Sequence, residues 1–340
     1  MKPDAQELYR QMARMRRFEE ELARLWERGL ISGEMHLGVG EEAVVAGVLA
    51  HLEEGDAMAL DHRSTPPLVG RGVSMESLLL EMLGHPDGLC GGRGGHMHLF
   101  SREHLAASSG IVGSSAPLAC GFALAARQLR PGKVAVAFFG EGAANQGMLL
   151  ESLNLAAAWK LPVVFVCKDN RWAITTRSRS VTGGCLLRRA RSFGLPAFRV
   201  DGTRVERVWA AAGKAVGRAR AGRGPSFILA SCPRMEGHFL GDPMLRVFRE
   251  PVRQALEIGP PLARALLSRP LSALPARVLN LGIIGKALTT LGVEKYVLER
   301  DPLRRAAELL PEEQRLRVEE EVGREVEEAA RAALAVVEGR

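Results

Sequence analysis

The sequence predicts an α/β fold, a parallel sheet with helices on both faces, carrying helical N- and C-terminal extensions. Three observations support this. Residues 134–139 and 163–167 are short, wholly apolar runs, as expected of strands buried on both faces. Segments with helical apolar spacing follow such runs, at 148–160 and at 205–221. The glycine-bearing stretch 140–147 and the polar run 168–170 come directly after two of the strands, where ligands sit in sheets of this kind.

Taken in order, residues 6–28 place apolar side chains at helical spacing with charges between them, which predicts the N-terminal helix. A glycine-punctuated stretch, 29–40, leads into a second helical pattern at 41–52. Residues 84–113 are rich in Gly, His and Ser and show neither period, so this long loop is either functional or disordered. A helix is expected at 116–129, then strand 134–139, turn 140–147, helix 148–160 and strand 163–167. Strands at 197–200 and 226–230 flank the helix at 205–221. From about Met244 the character shifts, with Pro260, Pro261, Pro270 and Pro275 interrupting an apolar, arginine-bearing stretch. A charged helix spans 311–338. The expected division is therefore a main domain at 1–243, a proline-punctuated helical insertion at 244–300 and a C-terminal helical part at 301–340.

With 46% hydrophobic and 25% charged residues, the 340-residue chain is ordinary for a folded protein and unlike a disordered one. The net charge of +7 suits an anionic ligand or an acidic partner. Scattered arginines and only 5% aromatic residues disfavour nucleic acid. Five cysteines with no Cys-x-x-Cys spacing point to reduced thiols, the charged N-terminus is unlike a secretory signal, and no apolar run is long enough for a membrane span. The expected location is cytoplasmic.

The densest chemistry is Gly140-Glu141-Gly142-Ala143-Ala144-Asn145-Gln146-Gly147, followed by Lys168-Asp169-Asn170-Arg171-Trp172. Glycines let backbone approach a phosphate, and the helix after Gly147 presents its positive end there. Glu141 and Asn170 are hard oxygen donors of the kind Mg²⁺ takes beside phosphate oxygens. A bare strand-to-helix turn with a solvated Glu141 is the plain alternative. Dinucleotide binding is disfavoured, because Asn145 stands where that fingerprint needs its third glycine.

These stretches resemble the alpha subunits of the thiamine-diphosphate-dependent 2-oxo acid dehydrogenases, which act on pyruvate, acetoin or branched-chain 2-oxo acids. The thiamine diphosphate motif reads GEGAANQGMLLESLNLAAAWKLPVVFVCKDNRWAITT here. The similarity continues in RRFEEELARLWERGLISGEMHLGVGEEAVVAG, GGRGGHMHLFS, GIVGSSAPLACGFALAA, RVDGTRVERVWAAA and DPLRRAAELL, leaving out roughly residues 244–300.

The resemblance implies the thiamine-diphosphate-binding fold. It implies that Glu141, Asn170 and the backbone carbonyl of Trp172 bind Mg²⁺, and that His62, Arg63, Gly110, Val112, Gly140, Gly142, Ala143, Lys168 and His238 contact the cofactor. His238 takes the catalytic role, as an imidazole placed for proton handling. Several positions depart from the family pattern: His62 replaces a Tyr, Asp169 an Asn, Glu236 a His and Phe239 a phosphorylated Ser, while Ser64-Thr65-Pro66-Pro67 replaces a His-Gly pair. His96 and His98 form a His-x-His pair with no obvious third ligand nearby in sequence.

The implied activity is oxidative decarboxylation of a 2-oxo acid, pyruvate first, with acyl transfer to a lipoyl acyltransferase. The implied partner is a beta subunit in an α2β2 heterotetramer, which supplies the Glu that activates the cofactor. The alternatives are an acetoin dehydrogenase-type enzyme and a non-catalytic paralogue that serves as an assembly module for the beta subunit.

Overall fold

The computed structural model of the chain describes residues 3–242, 251–290 and 300–339. Its strands are β1 (Ala57–Leu60), β2 (Phe100–Ser101), β3 (Ala106–Ser108), β4 (Ala135–Gly140), β5 (Val163–Asp169), β6 (Trp172–Ala173), β7 (Thr176–Arg177), β8 (Ala197–Asp201) and β9 (Ser226–Ser231). Seven of them form one sheet in the order β2-β3-β1-β4-β5-β9-β8, and β6 pairs with β7 apart from it. Every neighbour pair in the large sheet is parallel except β2 with β3 at one edge. The predicted fold class is the one observed.

Side-chain alternation along the strands explains why both faces are covered. Val136, Phe138, Val164, Val166 and Ile228 belong to one core cluster, and Ala137, Phe139, Phe165, Cys167 and Leu229 to the other. Both sets are apolar, so neither face can be left to water. The helices before the strand-rich half are α1 (Ala5–Glu27), α2 (Glu42–Leu49), α3 (Thr65–Gly70) and α4 (Met75–Met82). Within that half come α5 (Ser115–Leu129), α6 (Gly147–Trp159), α7 (Ser178–Val181), α8 (Leu186–Ser192) and α9 (Val205–Arg220). Apolar residues of α1 to α4 and α9 join the first cluster, and those of α5, α6 and α8 join the second.

The C-terminal helix Glu312–Val337 lies along α1. Val318, Val322 and Val326 enter the first cluster, and Arg10–Glu321 and Arg14–Glu325 pair outside it, both at 2.6 Å. Deeper in, Arg16 of α1 bonds Glu42 at 2.6 Å and Asp301 at 3.0 Å, tying three distant segments with buried charges. In the proline-punctuated stretch, residues 244–250 and 291–299 lie outside the described residues. The remainder forms the helices Pro251–Leu267 and Leu274–Thr290, and Pro260 and Pro261 sit inside the first of them. Among the described residues, no helix is long and apolar enough to cross a membrane.

The sequence reading passed over several elements, β1 among them. β1 is a central strand of only four residues, Ala-Met-Ala-Leu, whose alanines give a weak apolar signal. The long glycine-histidine loop is ordered, and one buried carboxylate organises it. Glu81 accepts the backbone N–H groups of Cys90 (2.6 Å), Gly92 (2.9 Å), Gly94 (2.6 Å) and Gly95 (3.3 Å).

Glu19 performs a similar task under the site, accepting the Gly38 N–H at 2.8 Å and the Thr65 hydroxyl at 2.7 Å. Burial pushes its carboxyl up to about 8 from 4.5. The folded chain therefore keeps this proton between those values while the unfolded chain has lost it, so this group's contribution to stability falls as pH rises from about 4.5 to about 8. Glu19→Gln has no such titration. Its stability relative to the parent is expected to increase across that window and level off above it, as read by denaturant midpoints at stepped pH.

Candidate functional site

A cavity of about 340 Å³ opens where β1, β3, β4 and β5 end. His62, Arg63, Gly110, Val112, Gly140, Glu141, Gly142, Ala143, Asn170, Trp172 and His238 all line it, so segments far apart in sequence meet at one place. Lys168 is absent from the lining. Its Nζ is buried, 2.6 Å from Glu41 and 3.1 Å from Asp61.

At one end of the cavity stands Glu141, 2% exposed. It accepts the Ser178 hydroxyl at 3.0 Å and the Asn170 N–H at 3.2 Å. Burial, helped by the nearby Asp169, pushes its carboxyl up to about 7. A carboxylate this enclosed is costly without a cation, and none is paired with it among the described residues. The backbone after β5 turns sharply: Arg171 is left-handed (φ 70°), and Asp169 Oδ1 accepts its N–H at 2.9 Å. That turn carries Asn170 alongside Glu141, and Asn170 Oδ1 accepts the Trp172 N–H at 3.0 Å. The donors here are oxygens, as Mg²⁺ requires, and an uncompensated buried carboxylate among them fits a divalent ion bound with a diphosphate.

The glycines have different roles. A Cβ on Gly142 would sit 2.8 Å from Ala173 Cβ, so this glycine admits the β6 loop. Gly113 is left-handed (φ +91°), and a Cβ there would press on Gln146 at 3.0 Å. Gly140 has open space around the Cβ position, with the nearest atom 4.0 Å away.

The other end is lined by imidazoles. His36 meets His62 edge-on with ring centroids 4.9 Å apart, and His238 at 4.7 Å. His36 Nδ1 lies 2.9 Å from His96 Nε2, whereas His98 is exposed. His62 Nε2 is buried with no hydrogen-bond partner. Burial lowers all four rings, His36 to about 2, His62 to about 3, and His96 and His238 to about 4, with Arg63 adding to each. The cluster is neutral at pH 7. Arg63 donates to the carbonyls of Leu37 and, at 2.9 Å, His238, and its Nε lies 3.9 Å from Glu41.

Sequence reasoning passed over His36, Glu41 and Asp61, all of which line the cavity. A signal existed for the two acids. Lys168 ends an apolar strand, and a lysine buried there needs carboxylates around it.

Comparison with known proteins identifies the family. Residues 10–263 match the family model described as "Dehydrogenase E1 component". The alpha subunit of acetoin:2,6-dichlorophenolindophenol oxidoreductase from Cupriavidus necator is 44% identical over 237 residues, 69% of this chain and 71% of that one. The pyruvate dehydrogenase E1 component subunit alpha of Rhizobium meliloti is 41% identical over 244 residues, 71% of this chain and 70% of that one. Among solved structures, a transketolase from Campylobacter jejuni superposes with a TM-score of 0.51 at 16% identity, covering 68% of this chain and 38% of that one, a likeness of fold. The family model and these relatives show that this chain belongs to the dehydrogenase E1 component family, whose members depend on thiamine diphosphate and a divalent metal ion.

Proposed function

We propose that this chain is the alpha subunit of a cytoplasmic 2-oxo acid dehydrogenase that decarboxylates pyruvate and passes the acetyl group to a lipoyl acyltransferase. The observation that carries this reading is a single cavity with an uncompensated buried carboxylate at one end and neutral imidazoles at the other. Thiamine diphosphate, when bound, supplies the nucleophile and the electron sink for loss of CO₂.

The chain's own residues do the rest. Glu141, Asn170 and the Trp172 carbonyl would hold Mg²⁺, and the positive end of α6 favours the diphosphate. Buried Ala143 and the glycines beside it keep that end narrow. His238, neutral at pH 7, is free to accept a proton at a ring nitrogen or return it near the substrate.

The cavity mouth supports a partner. Ile111, Val112 and Ile174 are 63%, 53% and 53% exposed beside an otherwise buried site. Apolar side chains grouped in this way suit cover by another chain, which we take to be a beta subunit in an α2β2 assembly that completes the active site.

A second reading, acetoin as substrate, is favoured by the 44% identity to an acetoin-oxidoreductase alpha subunit. Turnover of pyruvate, branched-chain 2-oxo acids and acetoin by the chain co-expressed with a beta subunit separates the two. We expect CO₂ release from pyruvate by the pair and none by the isolated chain. Turnover of acetoin alone would favour the second reading, and no turnover of any substrate would leave an assembly module.

A further inference from the structure

The helices Pro251–Leu267 and Leu274–Thr290 form a hairpin, in which Arg277 of the second donates to the carbonyls of Ser268 (2.5 Å) and Leu266 (3.4 Å) at the end of the first. Along the first helix, Leu256, Gly259, Leu262, Ala263, Leu266 and Leu267 recur at helical spacing and share one side, while Arg253, Glu257 and Arg264 share the other. Pro260 and Pro261 fall on the polar side, so the gap they leave in the hydrogen-bond ladder does not interrupt the leucines. The rest of the chain leaves this apolar side uncovered: Leu256 and Leu267 are 73% and 74% exposed. On the second helix Val278 and Leu279 are 55% and 66% exposed. Neighbours on a helix point about 100° apart, so the second helix is apolar on more than one side.

We propose that this hairpin is a peripheral membrane anchor, which lays its leucines into the surface of an anionic bilayer and sets its arginines against the lipid phosphates. Charge selects that occupant. Residues 251–290 hold five basic residues, Arg253, Arg264, Arg269, Arg277 and Lys286, against a single acid, Glu257, which already pairs with Arg253 at 2.9 Å. Arg264 and Arg269 are exposed and flank the leucine pair Leu266-Leu267 in sequence. A helix with a wide apolar side and a basic opposite side lies in the bilayer interface, held by buried apolar area and by attraction to anionic lipid. The guanidinium fork of N–H donors suits phosphate oxygens. Among the described residues neither helix is long and apolar enough to cross a membrane, so the contact runs along the surface.

A protein occupant fits less well. Aromatic residues and Met, which with Arg anchor protein–protein contacts, are absent from residues 251–290. The second helix lies outside residues 10–263, the stretch that matches the family model, so the hairpin extends beyond what the chain shares with its family. None of its residues lines the cavity at Glu141, and the anchor would bind lipid whether or not a 2-oxo acid is turned over. Such attachment is compatible with the cytoplasmic location proposed above.

The test is flotation of the full-length chain, alone and co-purified with its beta partner, with two kinds of vesicle: phosphatidylcholine containing phosphatidylglycerol, and phosphatidylcholine alone. The chain is expected to float with the anionic vesicles and not with the neutral ones, and added salt is expected to release it. A basic side chain near an anionic surface strengthens binding by about fivefold, so Arg264→Gln combined with Arg269→Gln should weaken it by roughly 20- to 30-fold. Leu256→Ser combined with Leu267→Ser should abolish it. Both leucines are exposed, so circular dichroism of that variant should match the parent. Failure of the parent to bind anionic vesicles in either form would overturn the proposal, as would equal binding to neutral vesicles or full binding by the leucine variant. If vesicles are not bound and the leucine substitutions instead break self-association or the complex with the beta partner, the hairpin is a protein interface and the membrane reading fails.

Discussion

Glu141→Ala is expected to weaken Mg²⁺-dependent binding of thiamine diphosphate by at least about 100-fold. Replacing an outer partner of a metal ligand commonly costs about 10- to 100-fold, and loss of a direct ligand costs more. The site offers little to replace it. Glu141 is buried, and of the two groups that donate to it the Asn170 N–H cannot coordinate a cation and the Ser178 hydroxyl is neutral, so neither replaces its negative charge. Asn170→Ala should act in the same direction. Glu141→Asp should retain binding, since it keeps the charge and shortens the reach by one methylene. Titration calorimetry with and without Mg²⁺ reads all three. Equal affinity for parent and Glu141→Ala would place the metal elsewhere.

Lys168→Met is expected to destabilise the chain by about 3–5 kcal/mol, the usual cost of removing one partner from a buried ion pair. Burial works against the ammonium, but Asp61 and Glu41 outweigh it and hold Lys168 charged. Without the lysine, two buried carboxylates would face Arg63 alone, whose Nε is 3.9 Å from Glu41. Burial raises the Glu41 carboxyl even with the lysine present, so the strain should fall mainly there. The double variant Glu41→Gln with Lys168→Met should recover part of the loss, because it removes one stranded charge. Denaturant midpoints of the two variants check this, and a Lys168→Met chain as stable as the parent would contradict the account of the buried network.

What could be read in the sequence follows from how local each signal is. β4, β5 and β9 announced themselves because each is a run of apolar residues buried on both faces, and Glu141 and Asn170 because each closely follows such a strand. β1 escaped notice because half of its four residues are alanine. His36, Glu41 and Asp61 escaped because their roles arise from tertiary contacts: Glu41 opens an ordinary amphipathic pattern, and its partner Lys168 lies 127 positions away. The family resemblance put Lys168 at the cofactor, but the fold turns its ammonium into a pocket of two carboxylates. His96 looked like half of a His-x-His pair, yet His98 faces solvent and the partner of His96 is His36, 60 residues earlier.

The central claim is that Glu141 and Asn170 hold the divalent ion that fastens thiamine diphosphate in this cavity. Crystals of the chain with its partner, grown with thiamine diphosphate and Mn²⁺ in place of Mg²⁺, test it by anomalous scattering. The account predicts a metal peak bridging the Glu141 carboxylate, the Asn170 side-chain oxygen and the diphosphate. Ordered cofactor with no metal between those two side chains would contradict it.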